Sequence, residues 1–151
     1  MNLKRTFKGA LRKIGLDVVK YPPLPQFVYH LRSFFHENDI NIVLDVGAYH
    51  GKYCRLLRDD VGFSGSIVSF EPFSKSFEIL SLEMADDPKW IGFNFSLSST
   101  NTQALLNTHG DAGDFNSIHK LRQVEASAYG VTNGKAEPVE LRRLDEVWPD
   151  I

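Results

Sequence analysis

Apolar residues in the first 37 positions recur at helical spacing, in two segments that a proline-rich connector separates. The first segment is typical of a short basic amphipathic helix, whose apolar face consists of Leu3, Phe7, Leu11 and Ile14. The connector contains three prolines, which favour extended backbone, at Pro22, Pro23 and Pro25. The second helix is predicted to begin near Pro25 and carries a wide apolar stripe, made up of Phe27, Val28, Leu31, Phe34 and Phe35. We therefore expect residues 1–37 to form an N-terminal helical region.

From residue 41 the pattern alternates between short, nearly continuous apolar runs and amphipathic helical stretches. Strands are predicted over 42–46, 67–70 and 90–97, and helices over 51–58 and 73–84. Apolar runs without alternation are typical of strands that helices bury on both faces of a parallel sheet. The order strand, helix, strand, helix, strand predicts half of a doubly wound, Rossmann-like α/β fold within residues 38–151.

The sequence becomes more polar after Ser98, where we expect an irregular insertion. Candidate strand segments in this part of the chain are 104–107, 117–121 and 137–141. A polar stretch that follows the first of these and runs into the second carries four side chains of metal-binding type, namely His109, Asp111, Asp114 and His119. Their spacing matches no metal-binding motif, so we expect a solvated loop and no metal site.

Composition and charge narrow the class of protein. The chain has 151 residues, 42% of them apolar and 24% charged, which is typical of one globular domain. It contains no apolar stretch long enough to cross a bilayer or to act as a signal peptide, and its one cysteine, Cys54, suits a reducing compartment. We therefore expect a cytoplasmic protein in which Cys54 packs a helix.

The first 20 positions carry a net positive charge, while the rest of the chain is net acidic. An acidic body argues against a nucleic-acid-binding surface, because such a surface needs clustered cations to neutralise phosphates. We expect the N-terminal helix to dock on its own domain with its cations in solvent. Weak contact of that helix with an anionic membrane surface is the alternative interpretation.

The segment with the clearest chemical signal is 45–51, which comprises a strand end, a tight turn and a helix start. Gly47 allows backbone conformations that other residues avoid, and Gly51 opens a helix whose amide groups face a ligand crevice. Their spacing differs from the Gly-x-Gly-x-x-Gly of dinucleotide-binding turns, and no phosphate-binding Gly-Lys-Ser/Thr sequence follows. A cofactor without phosphates is therefore expected.

An acidic residue ends the second predicted strand. Glu71 lies 20 residues after Gly51, at a position where a carboxylate can accept hydrogen bonds from both hydroxyls of an unphosphorylated ribose. Asp45, at the end of the first strand, supplies a second carboxylate for a cationic group. S-Adenosylmethionine has a free ribose and an ammonium group but no phosphate, so it meets both requirements.

These residues resemble a known family. The segment IVLDVGAYHGKY (42–53) resembles the cofactor motif of FkbM-type methyltransferases, and IVSFEP (67–72) resembles their second-strand motif. Further similarity lies at NFSLS (94–98), NSI (116–118) and VELRRLD (139–145). The family usually has Asn where this chain has Tyr49. The resemblance implies a class I methyltransferase fold, S-adenosylmethionine as methyl donor, and a hydroxyl of a sugar, polyketide or similar small molecule as acceptor.

The resemblance also implies a set of cofactor-binding positions. Gly47, Ala48 and Gly51 are expected beside the methionine part, Glu71 at the ribose, and Ser96 or Leu97 near the adenine. The full set of expected cofactor-binding residues is Asp45, Gly47, Ala48, Tyr49, Gly51, Tyr53, Glu71, Pro72, Ser96 and Leu97. The catalytic base is unknown.

In this family a fourth core strand follows the segment at which this chain ends. We therefore expect the N-terminal half of a methyltransferase domain, with the strand at 42–46 left at an unpaired sheet edge. A natural truncation, a fragment, or a chain completed by its missing half or by a homo-oligomer partner would each look this way. Two other functions stay open, namely a non-catalytic remnant and, less favoured by the glycine spacing, an NAD-dependent dehydrogenase.

Overall fold

The computed structural model of the protein describes residues 11–13, 15, 26–107 and 136–151. These residues form a mixed α/β structure with four α-helices and two three-stranded sheets. Several predicted features lie outside the described residues, namely most of the basic N-terminal helix, the proline connector, the segment 117–121 and the loop with His109, Asp111, Asp114 and His119.

The first sheet is parallel and has the order β1-β2-β3. Its strands are β1 (Ile42–Val46), β2 (Ser66–Phe70) and β3 (Trp90–Phe93). The register pairs Val46 with Phe70 and Phe70 with Phe93, so all three strands end at the same edge. The predicted alternation of strands and helices over this part of the chain is confirmed, and a parallel sheet of this kind is compatible with a Rossmann-like fold.

Three helices accompany this sheet. Helix α1 (Gln26–Glu37) begins where the sequence predicted it, and α3 (Ser74–Met84) joins β2 to β3. Helix α2 (Lys52–Arg55) follows β1 and continues into a π-helical turn at Leu56–Val61, three residues beyond the predicted end. A left-handed glycine, Gly62 with φ 80°, closes that turn.

The prediction of one strand over 90–97 is wrong. The chain leaves the first sheet after Phe93 and enters a second sheet as β4 (Ser96–Leu97). Asn94 turns the backbone here, because its side-chain amide donates hydrogen bonds to the carbonyl oxygens of Glu71 and Pro72 at 2.8 and 3.2 Å. Apolar alternation continues through the bend, which is why the sequence pattern showed no break.

The second sheet has the order β4-β6-β5 and corrects the expectation of an irregular segment after Ser98. Strand β5 (Thr102–Asn107) runs antiparallel to β6 (Ala136–Arg142), while β4 runs parallel to β6. Helix α4 (Leu144–Val147) and a short 3₁₀ turn at Trp148–Asp150 follow β6. The candidate strands at 104–107 and 137–141 are thus confirmed with slightly wider bounds.

The two faces of the first sheet carry separate apolar clusters. One face packs against α1, α2 and α3, through buried residues that include Val28, Cys54, Leu57, Ile67 and Leu80. The other face packs against β4 and α4, through Val68, Phe70, Phe95 and Val147. Apolar side chains on both faces of β2 explain its continuous apolar sequence.

Strand β1 departs from the prediction of burial on both faces. Within the described residues it is an edge strand, as expected from the sequence, and most of its side chains are only half-buried. Val46 is 60% exposed. The apolar run at 42–46 therefore has open surface on one side.

In the described part of the chain, no helix combines the length and apolar character that crossing a membrane requires.

Candidate functional site

The turn after β1 is built from left-handed backbone. Gly47, Tyr49 and Gly51 have φ angles of 79°, 52° and 75°. The amide groups of Gly47 and Ala48 both donate to the carbonyl oxygen of Phe70, at 2.8 and 3.2 Å, which ties the turn to the end of β2. A side chain at Gly47 would meet no atom within 4 Å, whereas a Cβ at Gly51 would lie 2.9 Å from Leu80. Gly47 therefore lines open space, while Gly51 allows close packing on α3.

Glu71 lies directly against this turn. Its carboxylate accepts the amide of Tyr49 at 2.7 Å on one oxygen and the amide of Phe73 at 2.9 Å on the other. The side chain is buried, at 7% exposure, and burial raises the pKa of Glu71 despite these two hydrogen bonds and the nearby His50. Each carboxylate oxygen keeps a further acceptor position, so Glu71 can fasten the turn and still bind a hydroxyl.

Asn94 holds the backbone at Glu71 in place through its side chain, a contact that the sequence did not predict. Besides the bonds from its side chain to the carbonyl oxygens of Glu71 and Pro72, the amide of Glu71 donates to the carbonyl of Phe93 at 3.0 Å. The signal in the sequence was one polar residue, Asn94, within the apolar alternation of the predicted strand 90–97. Pro72 is half-buried and lies between these anchoring contacts.

Asp45 contacts α2 through its side chain. Its Oδ2 accepts a hydrogen bond from the thiol of Cys54 at 3.3 Å, while Oδ1 accepts none from the described residues. Burial raises the pKa of Asp45, and the bond from Cys54 lowers it in part. The prediction that Cys54 packs a helix is confirmed, since the residue is fully buried, but its contact with Asp45 had not been predicted.

The aromatic residue in the turn stacks on its neighbour. The rings of Tyr49 and His50 lie 3.6 Å apart and nearly parallel, and the ammonium of Lys52 lies 5.5 Å from the Tyr49 ring centroid. Tyr49 therefore presents its backbone amide to Glu71 and its ring to His50 and Lys52. The backbone amide of Tyr49 thus connects the turn at 47–51 to Glu71.

The remaining predicted positions lie at varying distances from the turn. Ala48 is buried beneath the turn, whereas Tyr53 is 36% exposed on α2. Burial, followed by the charge of Asp45, raises the pKa of Tyr53. Ser96 and Leu97 are half-buried in β4, where they pair with β6 in the second sheet and not with the first sheet.

Neutral donors supply the hydrogen bonds that both buried carboxylates accept from the described residues. Within the described ranges, no lysine or arginine forms an ion pair with Asp45 or Glu71, and hydrogen bonds from neutral donors hold both groups. Among those same residues, no group of three metal-ligating side chains is close enough to bind an ion. The site can therefore accept hydrogen bonds and attract a positive charge, and its carboxylates repel phosphate.

Two clefts of about 650 and 480 Å³ lie at the opposite end of the strands. They are lined by residues that precede β2 and β3, including Gly62, Phe63 and Ser64. The side chain of Arg12 reaches this region and donates to the carbonyl of Asp59 at 3.4 Å. Asp45 and Glu71 lie at the other edge of the sheet, at the carboxyl ends of β1 and β2.

Comparison with known proteins adds no relative to this description. The chain matches no protein-family model, no curated protein and no solved structure.

Proposed function

We propose that this chain binds S-adenosylmethionine and belongs to an FkbM-type O-methyltransferase with a class I, Rossmann-like fold. The observation that carries the proposal is a pair of buried carboxylates, Asp45 and Glu71, beside the left-handed turn at 47–51, neither of which pairs with a lysine or arginine among the residues that the structure describes. Burying a carboxylate without a cation is costly, so such a pair is typical of a binding site.

The donors and acceptors suit this cofactor. The free acceptor positions of Glu71 match the two hydroxyl donors of an unphosphorylated ribose. Oδ1 of Asp45 accepts no hydrogen bond from the described residues, so it can accept one from an ammonium group. A dinucleotide would bring a pyrophosphate toward two carboxylates, which disfavours NAD.

The residues of this chain would act by binding and orientation. The bound cofactor supplies a methyl group that its sulfonium makes electrophilic. Gly47 leaves open space for close backbone approach, and Glu71 fixes the turn through the Tyr49 amide. Holding an acceptor hydroxyl in line with the methyl group accounts for a large part of catalysis in such a transfer. The acceptor would be a hydroxyl of a sugar, polyketide or similar small molecule.

Isothermal titration calorimetry with S-adenosylhomocysteine tests the proposal. We expect micromolar binding by the wild-type chain, and a loss of about 1–3 kcal/mol of binding free energy in Glu71→Ala. Glu78→Ala is the matched control, because Glu78 is an exposed glutamate on α3. Glu71→Gln keeps the size of the side chain and one acceptor for the turn, so it separates ligand binding from folding.

The outcomes distinguish the candidate functions. Binding that weakens in both Glu71 variants and is unchanged in Glu78→Ala supports the proposal. Absence of binding by a folded wild-type chain would contradict it and favour a non-catalytic remnant. Binding of NAD in place of S-adenosylhomocysteine would point to the dehydrogenase alternative.

A further inference from the structure

A chain of buried hydrogen bonds crosses all three strands of the first sheet on its helix-packed face. It joins the indole of Trp90 to Ser69 at 3.0 Å, Ser69 to Cys54 at 3.3 Å, and Cys54 to Asp45 at 3.3 Å. Asp45 and Ser69 are register partners on β1 and β2, so their side chains point to the same face. Cys54 comes from α2 and bridges them.

The two ends of the chain fix the direction of every bond in it. The indole N–H of Trp90 can only donate, and an ionised carboxylate can only accept. With Asp45 ionised, the Cys54 thiol donates to Oδ2, so the Cys54 sulfur accepts a hydrogen bond from the Ser69 hydroxyl, and Ser69 in turn accepts one from the indole N–H. The hydroxyl of Ser69 and the thiol of Cys54 therefore each have one favourable orientation.

Burial makes this arrangement consequential. Cys54 and Ser69 have no exposed surface, so solvent cannot replace either bond. Burial, with the charge of Asp45 contributing, raises the pKa of the Cys54 thiol to about 12, so the group remains protonated at neutral pH. It acts as a hydrogen-bond donor and not as a nucleophile.

We propose that Cys54 is a positioning residue, whose thiol, oriented by Ser69 and Trp90, holds the Asp45 carboxylate with Oδ1 free to bind the cationic group of the ligand. This inference rests on the proposed function, and it adds a donor on α2 to the carboxylates already described. Asp45 binds the ligand directly in this scheme, while Cys54 acts only through Asp45.

Other charged groups around Asp45 set the background for its titration. Tyr53 and Glu71 both respond to the charge of Asp45, and Arg58 acts electrostatically on Cys54. His50 acts on Glu71 from the turn. None of these groups donates a hydrogen bond to Asp45 within the described residues, so removal of the thiol proton is the most direct way to alter this carboxylate.

The test compares Cys54→Ala with Cys54→Ser, which keeps a donor, and Cys54→Val, which removes the donor but fills the space. Ser76→Ala is the matched control, because Ser76 is a buried serine on α3 outside the chain of bonds. Two quantities are measured in each full-length variant. These are the Asp45 pKa, by carbon-13 NMR without ligand, and the affinity for S-adenosylhomocysteine across pH, by calorimetry.

Loss of the donor is expected to raise the Asp45 pKa in Cys54→Ala and Cys54→Val, to weaken binding about tenfold and to move the binding profile to higher pH. Cys54→Ser and Ser76→Ala should stay close to wild type in all three respects. Equal behaviour of the alanine, valine and serine variants of Cys54 would overturn the positioning role.

The two proposals fail separately in this design. A wild-type chain that does not bind S-adenosylhomocysteine contradicts the proposed function. The ligand-free titration tests the contact itself, and an unchanged Asp45 pKa in both Cys54→Ala and Cys54→Val overturns the inference whether or not the wild type binds.

Discussion

The two ends of the first sheet differ in whether their buried charged side chains form ion pairs. At the amino ends of β2 and β3, Arg58 and Asp87 form an ion pair at 2.7 Å, with side-chain exposures of 6% and 4%. Arg58 also donates to the carbonyl oxygens of Phe63, Gly65 and Lys89. At the carboxyl ends, Asp45 and Glu71 are buried without lysine or arginine partners in the part of the chain described.

The contrast is between a buried ion pair within the fold and two buried carboxylates at which we propose that a ligand binds. Arg58 satisfies an acid and three carbonyls at once, so the polar groups around it have partners. The two carboxyl groups keep unused acceptor positions, and burial raises the pKa of each. Among the described residues, the buried acids at the carboxyl ends form no ion pair with lysine or arginine, whereas clefts of about 650 and 480 Å³ lie at the other end.

Removal of Arg58 should have the largest effect on stability. Arg58→Ala takes the buried guanidinium away from Asp87 and from the carbonyl oxygens of Phe63 and Gly65, so we expect a loss of about 3–5 kcal/mol in the free energy of unfolding. Urea denaturation followed by circular dichroism measures this. Arg55→Ala is the matched control, because the Arg55–Glu83 pair is more than 40% exposed on both sides and should contribute at most about 1 kcal/mol. Equal losses in the two variants would mean that burial does not distinguish these pairs.

The two glycines that flank the turn should differ in their cost. Gly47→Ala introduces a Cβ at positive φ but into open space, so we expect about 1–2 kcal/mol of backbone strain. Gly51→Ala adds a contact 2.9 Å from Leu80, which raises the expected loss by about 1–3 kcal/mol. Thermal and chemical denaturation of both variants provide the comparison. A larger loss in Gly47→Ala would show that the turn packs differently from the geometry described.

Asp45→Asn should increase stability while it weakens binding. Burial raises the pKa of Asp45 above its usual value of 3.8, so the folded chain holds this proton more tightly than the unfolded chain. The stabilising contribution of the protonated form is complete below the unfolded pKa and is lost as pH rises through the folded pKa. At neutral pH, Asn removes that cost, which amounts to about 1.4 kcal/mol for each pH unit between the two pKa values.

Denaturation at neutral and acidic pH measures this effect, and Asp59→Asn on the π-helical turn is the control for a general change in net charge. We expect a gain in Asp45→Asn at neutral pH that shrinks toward acidic pH, together with weaker binding of S-adenosylhomocysteine. A variant that is destabilised at neutral pH would mean that the charge of Asp45 stabilises the fold, contrary to the contrast between the two ends.

The sequence was a good guide to the first sheet and a poorer one to the second. Continuous apolar runs at β1 and β2 and the spacing along α3 are strong local signals, and the structure confirms them. The bend at Asn94 depends on carbonyl groups from a distant segment, which no local pattern contains. Strand β5 was only partly visible, because its exposure alternates weakly and its partner β6 is remote in the chain.

The candidate site shows the same limit. Turn and strand-end positions could be predicted, since parallel strands end together, and Glu71 does lie against the turn. One carboxylate oxygen of Glu71 accepts the amide of Tyr49 and the other accepts the amide of Phe73. These contacts follow from side-chain packing, which cannot be predicted from the sequence. The contact between Cys54 and Asp45 likewise depends on how α2 packs against the first sheet.

The link from Trp90 to Asp45 gives this protein an intrinsic optical probe. Indole emission responds to nearby dipoles, so a rearrangement around Ser69 should change the fluorescence of Trp90. The chain contains two tryptophans, and the other, Trp148, is about half exposed. With Trp148→Phe, the remaining emission would come from β3 alone. Binding of a ligand at Asp45 could then be followed in real time by this fluorescence, without a dye.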